Sequence, residues 1–134
     1  MAIEIIEKPK VEISPDILKE IRTKIHEKGQ VIFHCLYHNR YFFETAIRIW
    51  PSTYLYDHHS DHKSEMVHAE KIVYAPEWQM VAPMSSSYFT LIFEGLPKSC
   101  SVFDFIEQTG SESGAFIFKN IKRNNADVYY ARIK

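Results

Sequence analysis

From Gln30 onward the chain alternates between apolar and polar positions. In Gln30-Val31-Ile32-Phe33-His34-Cys35-Leu36-Tyr37, the residues Val31, Phe33, Cys35 and Tyr37 share one face of an extended chain, because successive side chains of a strand point to opposite sides. That face is predicted to be core. Phe43 to Trp50 repeats the pattern, with Phe43, Thr45, Ile47 and Ile49 opposed to Glu44 and Arg48; Pro51, which has no amide proton to donate, ends or bends the ladder. Thr53 to Tyr56 reads as a resumed strand and Met66 to Tyr74 as a weaker one. Tyr88 to Glu94 carries the strongest alternation, with Phe89, Leu91 and Phe93 together and Gly95-Leu96-Pro97 closing it. Val102 to Glu107 sets Phe103 and Phe105 on one face. Phe116 to Ile121 and Val128 to Ile133 are the last two strands, joined through a turn containing Asn124-Asn125. The polar run Asp57 to Ser64, the corner Ala75-Pro76-Glu77-Trp78, and the stretches Ala82 to Ser87 and Thr109 to Gly114 read as connections.

Before Gly29 the period changes. Ser14-Pro15-Asp16 brings a capping hydroxyl, a residue suited to the first helical turn and a charge that complements the positive helix end. Ile17, Leu18, Ile21 and Ile25 then fall on one face, with Lys19, Glu20, Lys24 and Glu27 on the others. This predicts a helix over about 15–28 that lies on a sheet or closes one end of the core. The alternative is a charged strand from near Glu20, since Ile21, Thr23 and Ile25 also alternate. Seven or eight short strands separated by turns, with no long helix between them, predict a mostly β chain. It is read as a single domain over 1–134, an antiparallel two-sheet sandwich over about 30–134 with the short helix in front.

Composition changes this picture little. A chain of 134 residues buries roughly two-thirds of the surface that its unfolded form exposes, and a 14% aromatic share with only 4 Gly suits pleated sheets. The formal charge of −1 creates no general field for nucleic acid or an anionic membrane. Met1 to Lys10 lacks the apolar core of a signal peptide, and no stretch approaches the roughly 20 apolar residues of a membrane helix. Cytoplasmic residence is expected, without a membrane partner. Cys35 and Cys100 are read as unpaired thiols in a reducing compartment.

The segment Phe89-Thr90-Leu91-Ile92-Phe93-Glu94-Gly95-Leu96-Pro97, followed by Phe103-Asp104-Phe105-Ile106-Glu107, resembles a pattern in uncharacterised bacterial immunoglobulin-like domains. In those, an aromatic strand ends in Leu-Pro and a second short strand carries Phe-Asp, two hydrophobic residues and Glu. The resemblance covers about the C-terminal third. It implies an immunoglobulin-like sandwich and assigns no activity and no site residue.

Histidine is the unusual local chemistry. His58, His59 and His62, with Asp57 before them, Asp61 among them and His68 further on, offer imidazole and carboxylate donors of the kind that hold Zn²⁺. On a helix His58 and His62 are neighbours; in an extended chain they are roughly 13 Å apart. The competing reading is a polar loop whose histidines are solvated or hydrogen-bonded. His34 and His38 repeat the spacing, but in a strand. Asp104 and Glu107, three apart in a strand, face opposite ways. Cys100, between Ser99 and Ser101, has no histidine beside it to activate the thiol. Lys119, Lys122, Arg123, Arg132 and Lys134 make the C-terminal region basic around Tyr129 and Tyr130, which reads as a solvated edge rather than a nucleic-acid platform. No Gly-rich phosphate loop and no serine nucleophile elbow is present.

The function expected is therefore a non-enzymatic protein-interaction or accessory module without a cofactor, binding a protein partner or a second copy through exposed rings. Trp50, Tyr54 and Trp78 are the candidates, against the reading that all three are packing. The alternative function is a metal-binding protein, or a metal-dependent hydrolase, using zinc in the region 57–68.

Overall fold

In a computed structural model of the chain, the residues described are 29–110 and 114–133 in full and 3–5 by their backbone. The helix expected over 15–28 lies outside them. Among these residues ten strands follow in order: β1 (Ile3–Ile5), β2 (Val31–His38), β3 (Thr45–Ile47), β4 (Thr53–Asp57), β5 (Lys63–Glu70), β6 (Gln79–Val81), β7 (Ser86–Phe93), β8 (Val102–Glu107), β9 (Ile117–Lys122) and β10 (Val128–Ile133). Among the described residues no helix is long and apolar enough to cross a membrane. The mostly β reading holds.

Eight strands form one mixed sheet in the order β1-β10-β2-β7-β5-β4-β8-β9, and β3 and β6 form a second, two-stranded sheet. Every pair is antiparallel except β2 with β10, where Val128 to Ile133 run alongside Ile32 to Tyr37 in the same direction. This corrects the all-antiparallel expectation. Alternation fixes which side chains meet the core; it does not say which strand lies alongside or in which direction it runs.

The large sheet is curled, and its bulges supply a cause. An extra residue on one strand bends it and increases its twist. In β5 the register with β7 slips between Met66 and His68, leaving Val67 unpaired and half-exposed. Between β8 and β9 it slips again opposite Asp104, where Asn120 takes φ +58 and gives its amide to Asp104 Oδ1 at 2.8 Å. Curling brings the two outermost strands, β1 and β9, to within 8 Å by their Cα atoms.

Inside the curl β2 faces β8 and β9. Phe33 is the hub: its ring centroid lies 5.9 Å from Phe93, 6.2 Å from Phe103, 5.2 Å from Phe105, 6.1 Å from Phe118 and 5.0 Å from Tyr129. Such pairs add about 0.5–1.5 kcal/mol each beyond the area they bury. The inward sets read from the sequence, Val31-Phe33-Cys35-Tyr37, Phe89-Leu91-Phe93 and Phe103-Phe105, are all buried. Ile32 and His34, on the opposite face of β2, are buried as well; His34 is hydrogen-bonded through Nδ1 to Thr90 Oγ1 at 2.9 Å.

Two connections are held by charge. Arg123 pairs with Asp127 through Nε and Nη2, both at 3.0 Å, and donates to the carbonyls of Leu96, Pro97 and Cys100. The β7–β8 connection is thereby tied to the turn before β10. Glu107 accepts the amides of Trp50 at 2.9 Å and Phe116 at 3.1 Å; burial raises its carboxyl above the ordinary value.

Candidate interaction surface

The small sheet packs one face on the core and turns the other outward. Ile47 and Val81 are buried, and Thr45 Oγ1 is hydrogen-bonded to Tyr37 OH at 2.7 Å. Ala46 stands opposite Met80 in the register, so alternation places Glu44, Ala46 and Arg48 with Trp78, Met80 and Ala82 on the outward face. Met80 is 57% and Trp78 56% exposed. At one end of this ribbon the guanidinium carbon of Arg48 lies 3.7 Å from the Trp78 ring centroid and 5.3 Å from that of Trp50.

At its other end the chain enters β3 through Tyr41-Phe42-Phe43 and leaves β6 through Ala82 to Ser85. Phe42 is 90%, Phe43 63% and Met84 54% exposed. These side chains sit on a rigid base. Asn39, fully buried, places its amide nitrogen 2.9 Å from the Phe43 carbonyl and 3.1 Å from those of Val81 and Ala82, two N–H groups shared among three acceptors. Its Oδ1 accepts the Tyr41 amide at 3.0 Å, and its backbone N–H donates to Ser85 O at 2.8 Å. The Met84 amide donates to Tyr41 O at 3.2 Å, and Met84 itself holds φ +56, a left-handed conformation that costs a non-glycine residue about 1–2 kcal/mol. Tyr41 and Phe43 stack with centroids 5.1 Å apart. The result is a preformed strip of aromatic, methionine and arginine side chains, the composition that marks interface cores.

Of the residues nominated from the sequence, Trp78 lies on this strip and half-buried Trp50 beneath its arginine. Tyr54 lies apart, half-buried on β4, with Lys63 Nζ 4.4 Å from its ring and Tyr56 edge-on to it. Tyr41, Phe42, Phe43, Met80 and Met84 are not singled out by the sequence pattern. Alternation puts Phe43 on the dry face of a strand, but β3 begins only at Thr45 and Phe43 is exposed. The available signal was three consecutive rings bracketed by Arg40 and Glu44, which no single strand face can bury.

The histidines do not converge. His58 is bonded to Asp104 Oδ1 at 2.7 Å, His59 to Ser101 Oγ at 2.9 Å, His62 to Ser64 Oγ at 2.9 Å and His68 to Glu70. Among the described residues no group of three or more His, Cys, Asp or Glu is placed to hold a metal ion. The turn is organised from below instead, by Asp57, which accepts the His59 amide at 2.9 Å and the Ser60 hydroxyl at 2.6 Å. Burial alone would raise the Asp57 carboxyl; these hydrogen bonds outweigh it and hold it below its ordinary value. Asp104 and Glu107 face opposite ways with separate partners. Cys35 and Cys100 are buried free thiols. Burial, with the Asp57 carboxylate beside it, pushes Cys100 up to about 11, opposite to what a nucleophile requires.

Comparison of the chain with protein-family models, curated proteins and solved structures finds no match.

Proposed function

We propose that this domain is a non-enzymatic interaction module that presents the outward face of the β3–β6 ribbon and the Tyr41–Phe43 and Met84 tips to a protein partner. One observation carries the reading: Phe42 is 90% exposed on a loop whose backbone is pinned by the buried Asn39 amide. A large apolar ring left in water contributes little to the isolated fold, whereas a loop backbone already held in place lowers the ordering cost of binding. The immunoglobulin-like kinship suggested by the Phe89–Pro97 and Phe103–Glu107 segments belongs to the same proposal. Its support is the packing of the β2 and β7 rings against those of β8.

The test is a photoreactive side chain installed at position 42, and separately at the exposed Lys98, in cells that make the protein. Discrete adducts at position 42 that are absent at position 98 are expected. Equal labelling at the two positions, or none at position 42, would reject the surface.

A further inference from the structure

We infer that the segment bound at this surface is acidic as well as apolar: a peptide of the partner whose carboxylate is read by Arg48 while its hydrophobic side chains cover Met80, Met84 and Phe42. The inference rests on the interaction reading above and adds the partner's chemistry.

Arg48 is half-buried and lies against two rings, 3.7 Å from the centroid of Trp78 and 5.3 Å from that of Trp50. Of its five N–H donors, one is spent on Pro76 O at 3.1 Å, and among the described residues no carboxylate forms an ion pair with it. Glu107, which feels its charge at longer range, commits its oxygens to the amides of Trp50 and Phe116. A guanidinium with a ring against its face and donors left along its edge is the geometry for bidentate capture of a carboxylate. At the other end of the strip Arg40, exposed and 5.5 Å from the Tyr41 ring centroid, likewise forms no ion pair among the described residues. Glu44 and Glu77, the exposed acids nearest in sequence, pair with neither arginine. Two cations that form no ion pair among the described residues therefore bracket an apolar strip. Two phosphate contacts on a chain of net charge −1 make a poor nucleic-acid platform, and the methionines and Phe42 would contribute nothing to one. An acidic, hydrophobic peptide uses both features.

The experiment pans a displayed library of random peptides against the full chain and measures the enriched peptides on Arg48→Gln, Arg40→Gln and Phe42→Ser, each checked by thermal melting. Enriched sequences are expected to place Asp or Glu within a few residues of Leu, Phe or Trp. Their affinity should fall about tenfold in Arg48→Gln, fall with added salt, and be lost in Phe42→Ser. If Arg48→Gln fails to fold, Arg40→Gln and the salt dependence decide. Neutral or basic consensus peptides that need Phe42 but neither arginine would overturn the acidic inference and leave the surface standing. Peptides bound equally by Phe42→Ser would sink the surface itself. Self-association abolished by Phe42→Ser, or oligonucleotide binding abolished by Arg48→Gln, would assign the strip to a second copy or to phosphate and overturn the inference.

Discussion

Asn39 and Met84 act together at the tips of the ribbon: the amide of one satisfies the carbonyls of both loops, and the strained backbone of the other sets where its side chain emerges. Replacing Met84 by glycine removes the left-handed penalty and the contact side chain at once. Met84→Gly is expected to be at least as stable as wild type, by up to about 1 kcal/mol in chemical denaturation, while binding of the selected peptides weakens; loss of stability would show that φ +56 is not strained. His34 provides a second test. Burial lowers its imidazole to about 4 from 6.5, so it is neutral in the folded chain above pH 4, whereas the unfolded chain takes up the proton near pH 6.5. Between those values the unfolded state holds more protons, and stability falls as pH falls, by at most about 1.4 kcal/mol per pH unit. Above pH 6.5 the contribution is flat. Glu107, raised by burial, runs the other way, so the His34 share is read as a difference: the stability advantage of wild type over His34→Gln should narrow from pH 7 to pH 4. A constant difference would mean that His34 is protonated in place.

Among the elements, those with an apolar face two residues in period were legible, and their ends were set by hydrogen bonds that composition does not encode. The strand Val128 to Ile133 is legible to the residue. By contrast, β5 begins at Lys63, inside a run that reads as loop, because Ser64 is buried and donates its hydroxyl to Gly95 O at 3.1 Å. The candidate site was legible only at Trp78 and Trp50. The rest depends on Asn39, one polar residue whose four partners are assembled by the fold. Arg123 is the same kind of case: read as part of a solvated basic edge, it is the latch between two connections. Arg123→Lys keeps the charge but not the planar fork that reaches Asp127 and three carbonyls. A loss of about 1–3 kcal/mol in urea unfolding is expected; an unchanged midpoint would mean that the latch adds no net stability.

Across the whole molecule, the same residue type serves opposite ends. Among the described residues Phe33, at 0% exposure, meets five rings, and Phe42, at 90%, meets none. Phe33→Ala is expected to cost about 3–5 kcal/mol and Phe42→Ala less than about 0.5 kcal/mol, measured by chemical denaturation. A large loss at Phe42 would place it in the fold rather than on the surface. The pairing of β2 with β10 carries a consequence for synthesis. As the chain leaves the ribosome, β2 emerges early with one side open, and the strand that covers it, lying between β1 and β2, comes only after all the others. Nascent chains stalled before Val128 therefore present one edge of β2 as an open template, the kind of exposure that promotes aggregation when translation pauses.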